Sequence, residues 1–127
     1  MKEYRATVDK WNTAHWYKPN SDIRHREGGP AIEYVDGSKE WFINRKRHRE
    51  DGPAVEFVNG YKAWYINGKR HREDGPAIEL ADGSKWWFIN GKCLPEEEFN
   101  NRHKTELTMD EIAAKFDIDV KNLKIKK

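Results

Sequence analysis

The sequence repeats itself with a period of 23 residues. Arg24-His25-Arg26-Glu27-Gly28-Gly29-Pro30-Ala31 returns as Arg47-His48-Arg49-Glu50-Asp51-Gly52-Pro53-Ala54 and again as Arg70-His71-Arg72-Glu73-Asp74-Gly75-Pro76-Ala77, and the stretches between the copies recur as well. A unit this short cannot bury an apolar face alone, so successive copies must stack and share one core. Most compact folds are excluded by that alone. What remains is an open array of small identical elements.

The elements read as β-hairpins. Pro30 to Val35 is a short strand, Asp36-Gly37 a turn, Ser38 to Ile43 a second strand, and Asn44-Arg45 a turn back. The later copies place Asn59-Gly60 and Asp82-Gly83 at the first turn, and Asn67-Gly68 and Asn90-Gly91 at the second. Asx-Gly pairs between alternating runs suit two-residue type I′ turns, which need positive φ at both central positions. Arg45 departs from that chemistry and at such a position costs roughly 1–2 kcal/mol relative to Gly.

Alternation assigns the faces. Ile32/Tyr34, Val55/Phe57 and Ile78/Leu80 share one, with Glu33, Glu56 and Glu79 opposite. On the second strand Trp41/Ile43, Trp64/Ile66 and Trp87/Ile89 oppose Phe42, Tyr65 and Phe88, so both faces are apolar and one is expected to carry partly exposed aromatic surface. Proline lacks a ladder donor, so Gly52-Pro53 and Gly75-Pro76 mark strand entries, with bulged corners expected at 49–53 and 72–76.

The ends differ. Tyr4, Ala6 and Val8 alternate as a strand, and Trp16-Tyr17 stands where later copies have Trp41-Phe42, so residues 1–23 form a degenerate first repeat. Past Asn90-Gly91-Lys92 the pattern stops. Pro95 followed by Glu96, Glu97 and Glu98 predicts a helix to about Lys104 with Pro95 at its first position. Thr108 and Glu111 form a capping box for a second helix, and Val120 to Ile125 suit an edge strand. The expected architecture is mainly β with C-terminal helices. It is a single domain over 1–127: an elongated, twisted antiparallel sheet of hairpin repeats (24–94) with one or two short helices as a cap (95–127).

Charge and composition restrict the function. The net charge is +2, and it divides as +1, +2 and −1 over residues 1–23, 24–94 and 95–127, whereas nucleic-acid binders carry a basic excess on one domain or arm. Charged residues make up 36% of the chain, yet the six Trp argue against disorder. The single Cys93 allows no internal disulfide and reads as packing filler. No apolar run approaches the ~20 residues of a membrane helix, and the N-terminus shows no signal-peptide core. A cytoplasmic protein without a cofactor is expected.

The signature resembles a triplicated active site, but its spacing opposes that. Equivalent positions two strands apart lie ~9–10 Å from each other, while zinc ligands sit ~2.0–2.1 Å from a shared ion. His25, His48 and His71 therefore read as structural repeat corners, together with Gly52, Pro53, Gly75 and Pro76, and no metal site is expected. No nucleophile has an elbow or base, so no catalytic residue is assigned. Nucleic-acid or nucleotide binding along an Arg/aromatic track is the rival reading. Against it, Arg47 and Arg49 have Glu50 and Asp51 beside them, and Arg70 and Arg72 have Glu73 and Asp74. Trp, Tyr and Arg dominate interface hot spots. The candidate partner-binding residues are Trp41, Trp64, Trp87, Tyr65, Arg49 and Arg72, with the sheet edge open to a partner strand or a second copy.

Asn67-Gly68-Lys69-Arg70-His71 and Asp82-Gly83-Ser84-Lys85, in a 23-residue period ending on Trp, resemble the MORN repeat and more closely its variant form, over about residues 16–94. Arg26, Arg49 and Arg72 stand where the usual unit has Gly after His, and its Tyr-x-Gly-x-Trp element is reduced to Lys-x-Trp-aromatic. The resemblance implies stacked hairpins in one twisted sheet with a groove along one side, and a role in binding rather than catalysis. It also points to small bacterial and phage proteins, and so to a host-directed inhibitor such as an anti-defence, anti-CRISPR-like protein.

Overall fold

A computed structural model describes residues 3–104, which divide between two compact units, Met1–Leu94 and Pro95–Lys127. The first is all β. Its strands are β1 (Arg5–Val8), β2 (Ala14–Tyr17), β3 (Ile32–Glu33), β4 (Lys39–Glu40), β5 (Phe42–Ile43), β6 (Lys46–Arg47), β7 (Val55–Glu56), β8 (Lys62–Ala63), β9 (Tyr65–Ile66), β10 (Lys69–Arg70), β11 (Ile78–Glu79), β12 (Lys85–Ile89) and β13 (Lys92–Leu94). They form an open antiparallel sheet in the order β1-β2-β3-β4-β7-β8-β11-β12-β13, with β5-β6 and β9-β10 as separate two-stranded hairpins. The described part of the second unit is α1 (Glu96–Lys104). The predicted helix from Thr108 and the predicted strand from Val120 to Ile125 lie outside the described residues.

Each repeat is therefore two hairpins rather than one. The expected second strand, Ser38 to Ile43, breaks at Trp41 because its backbone serves two neighbours. Trp41 N–H donates to the Ala54 carbonyl of the next repeat, while the Trp41 carbonyl accepts from His48 N–H of its own hairpin. Trp64 does the same between Ala77 and His71. Trp16 bonds likewise, its N–H donating to the Ala31 carbonyl and its carbonyl accepting from His25 N–H. In the two end copies the strand runs through unbroken, as β2 past Trp16 and as β12 past Trp87.

The turns split into two kinds. Both central residues have positive φ at Asn44-Arg45 (51° and 72°), Asn67-Gly68 (51° and 83°) and Asn90-Gly91 (50° and 85°), the type I′ geometry. At the other turns only Gly37, Gly60 and Gly83 are positive. There Tyr34 N–H donates to the Ser38 carbonyl and Gly37 N–H to the Tyr34 carbonyl, a three-residue loop with a glycine bulge that replaces the expected type I′ turn. The side chains of Asp36, Asn59 and Asp82 accept the amides two residues on at 2.8–2.9 Å, which explains an Asx residue there without a left-handed backbone. The Ser84 amide and hydroxyl hold the Asp82 carboxyl below the usual carboxylate range.

Pairing across the sheet aligns two rows. His15, Ile32, Glu40, Val55, Ala63, Ile78 and Trp86 are successive partners on one face. The adjacent row runs Glu33, Lys39, Glu56, Lys62, Glu79, Lys85, an alternation of opposite charges across neighbouring strands. The first row is the core: Val55, Ala63 and Ile78 are buried, with Phe57, Tyr61, Tyr65, Leu80 and Phe88 packed on them. The small Ala31, Ala54 and Ala77 leave no exposed surface where one repeat meets the next. Pro95 sits one position earlier than expected in α1, its carbonyl accepting the Phe99 amide.

Candidate functional site

The repeated signature builds a closed corner. His25, His48 and His71 each accept, at Nδ1 and 2.9 Å, the backbone N–H of Asn44, Asn67 and Asn90. An N–H donor at Nδ1 requires that nitrogen to be unprotonated, so Nε2 carries the proton and donates to Glu27, Glu50 and Glu73 at 3.3, 3.1 and 3.2 Å. Each histidine thus ties its own corner to the type I′ turn at the end of the following hairpin. Among the described residues no group of three His, Cys, Asp or Glu side chains is placed to hold a metal ion.

The arginine after each histidine is equally committed. The guanidinium carbons of Arg26, Arg49 and Arg72 lie 4.0, 3.8 and 3.9 Å from the ring centres of Trp16, Trp41 and Trp64. Arg49 Nη1 donates to the Pro53 carbonyl (3.1 Å) and reaches Glu56 (3.3 Å), while Nε donates to Asp51 (3.1 Å). Arg72 repeats this with Pro76, Glu79 and Asp74. The glycine of Gly-Pro is explained by these arginines. Its φ is not left-handed, but a Cβ at Gly52 or Gly75 would lie 2.9 Å from the Cζ of Arg49 or Arg72.

The other arginine of the signature sits on the opposite face. Across the type I′ turns, Phe42 pairs with Arg47 and Tyr65 with Arg70. The result is a column in which rings and guanidiniums alternate: Arg24 lies 5.4 Å from Tyr17 and 5.7 Å from Phe42, and Arg47 lies 5.4 Å from Phe42 and 5.6 Å from Tyr65. Arg70 follows at 5.8 Å from Tyr65 and 5.4 Å from Phe88. Arg47 does not pair with Glu50 as the sequence suggested. Its Nε and Nη2 lie 3.1 Å from Oε1 of the buried Glu40, whose Oε2 accepts the Tyr34 hydroxyl at 2.7 Å. Burial and that carboxylate push the Tyr34 hydroxyl up to about 12.

The structure places the predicted partner-binding residues as follows. Trp41, Trp64 and Trp87 are half-buried, the first two beneath Arg49 and Arg72, and Tyr65 lies between Arg47 and Arg70 in the column. Trp41 and Ile43 line a cleft of about 640 Å³ with Arg26, His48 and Arg49. Trp64 and Ile66 line its counterpart of about 620 Å³ with Arg49, His71 and Arg72. Trp41 and Ile43 thus share one face, as do Trp64 and Ile66. Sequence reasoning passed over Glu40 and set Arg47 beside Glu50 and Asp51, although a two-residue turn at 44–45 already places Phe42 opposite Arg47. It also passed over the exposed apolar residues, Trp11 at 69%, Val35 at 70%, Val58 at 62% and Trp86 at 44%.

Among the described residues no helix is long and apolar enough to cross a membrane. No protein-family model matches the chain, and no curated protein or solved structure matches it significantly.

Proposed function

We propose that the chain is a non-catalytic binding module for another protein. The observation that carries this reading is the internal neutralisation of the signature. Arg49 and Arg72 are each held by two carboxylates, a carbonyl and a Trp ring, and each histidine by a carboxylate and an amide. Such groups are poorly placed to release counterions from a phosphate backbone, the main source of nucleic-acid affinity. The column gives little room for base stacking, since Phe42 and Tyr65 each have guanidiniums on two sides. What two successive repeats offer instead is a regular pair of clefts with Trp and Ile in their walls, on a rigid ladder. Regular, pre-organised surfaces of this kind suit protein recognition, where ordering costs are the main loss.

The finer part of the proposal rests on the MORN-like character of the repeat: a phage accessory protein that binds and inhibits a host protein. Affinity capture from host lysate with and without nuclease tests both parts. The expected result is a protein partner retained after nuclease treatment and retained as salt rises. Capture lost on nuclease treatment, with affinity falling steeply in salt, would replace this reading with the nucleic-acid one.

A further inference from the structure

The three arginines of the column are built alike but are not satisfied alike. Arg24 donates to His15 Nδ1 at 3.1 Å and Arg47 to Glu40 at 3.1 Å. His15 and Glu40 occupy equivalent places in the core row, and the next residue of that row in the same place is Ala63. Arg70 therefore has no side-chain acceptor at the position that serves the other two. Among the described residues its guanidinium makes ring contacts and no hydrogen bond or ion pair. It is exposed, yet Tyr65 and Phe88 hold it from two sides.

The series also changes character beside it. In the last copy the core row carries Trp86, 44% exposed, and the column position after Phe88 is Cys93, also exposed. Trp86 and Phe88 are two residues apart on β12 and so share a face. Among the described residues the column thus ends in a ring-held arginine without a polar partner, with an exposed Trp next to the ring that holds it. Nothing comparable occurs in the earlier copies, where Glu40 and Ala63 fill the place of Trp86 and are buried.

We infer that Arg70 receives a carboxylate from the protein partner, with Trp86 taking an adjoining apolar side chain. The inference rests on the protein-binding reading above and names the chemistry of that contact. A guanidinium fork matches a carboxylate in two parallel hydrogen bonds, and two flanking rings limit the rotamer freedom lost on binding. The chain displays the same chemistry one repeat earlier, where the equivalent arginine is satisfied by the carboxylate of Glu40. A phosphate is less well served. Lys69 pairs with Ile66, whose side chain lines the cleft on the opposite face, so the neighbouring cation points away from Arg70.

The test follows the arginine side-chain Nε–H resonances by NMR while a blocked hexapeptide of alternating Glu and Leu is added. The Arg70 resonance shifts saturably, those of Arg47 and Arg49 stay still, and Arg70→Gln raises the half-saturation point about tenfold, the equivalent of one charge-assisted contact. Phe57→Tyr/Ala63→Glu, which copies Tyr34 and Glu40 into the next repeat, gives Arg70 an internal partner and abolishes the shift. If that variant does not fold, Arg70→Gln and Arg70→Lys still decide. Equal shifts at every exposed arginine, or no shift at Arg70, overturn the inference. So does a response to inorganic phosphate or a thymidine oligonucleotide with none to the peptide. A captured partner that binds wild type and Arg70→Gln equally well overturns it too, while leaving the binding-module reading intact. If wild type captures no protein at all, that reading fails separately.

Discussion

Gly52→Ala is expected to destabilise the protein or to stabilise it, depending on a residue three positions away. The new Cβ lies 2.9 Å from the Cζ of Arg49, below any ordinary contact, while the backbone at Gly52 accepts an L-residue without strain. The guanidinium ends a flexible side chain and can swing aside, so the cost is what it leaves behind. It leaves the Trp41 ring at 3.8 Å and the Pro53 carbonyl at 3.1 Å. Those are worth about 0.5–1 kcal/mol for a partly exposed cation–π contact and about 1.5 kcal/mol for a charge-assisted hydrogen bond, the lower end of its range because the site is partly exposed. Against this, Gly→Ala restricts the unfolded chain and returns about 0.5 kcal/mol. The net expectation is a loss of about 1.5 kcal/mol by these same terms. In an Arg49→Ala background the clash and its consequences vanish, and Gly52→Ala should stabilise by about 0.5 kcal/mol. Urea unfolding of the four proteins gives the coupling energy directly. If Gly52→Ala costs the same in both backgrounds, the glycine is there for some reason other than the arginine.

Three further outcomes are expected. The Tyr34 hydroxyl, raised from 10.0 to about 12, stabilises the fold fully below pH 10, and that contribution disappears as pH rises through about 12. Tyr34→Phe should abolish the latest phase of a spectroscopic phenol titration and flatten the loss of stability in that window; an unchanged titration would contradict the Glu40 bond. Arg45, at φ 72° where Gly68 and Gly91 stand in later copies, should stabilise on replacement by Gly by up to about 1 kcal/mol, read as a raised Tm. His48→Ala should speed hydrogen exchange at the Asn67 amide and leave Asn90, held by His71, unchanged, for a loss of about 1 kcal/mol.

Much of the fold was legible because the repeat fixes it. The period required stacking, the second-turn Asn-Gly pairs required type I′ turns, and alternation put Ile32, Val55 and Ile78 on the core face, where they are buried. Two features escaped for definite reasons. A strand that changes partners midway, as at Trp41, carries no mark in its own alternation, because the change depends on which repeat each half bonds. The first turn's type also escaped, since Asp36 serves through its side chain and not through a left-handed backbone. The site was less legible than the fold. Both arginines of the signature look identical in sequence, but one packs on Trp beside the acidic corner and the other stacks between aromatic rings on the opposite face. The informative signal was variation within the repeat. Glu40, Ala63 and Trp86 occupy one position that changes while its surroundings stay constant, and that change denies Arg70 the acceptor that Arg47 has in Glu40.

The claim that the signature is a structural corner, with its arginine spent on the fold, is tested most directly by Arg49→Lys and Arg72→Lys. Lysine keeps the charge but cannot reproduce the stacked, multiply bonded fork. Denaturant unfolding should show each substitution costing about 1–2 kcal/mol, while the captured partner binds the folded variants as it binds the wild type. Unchanged stability together with lost binding would make the signature the working surface and contradict the account.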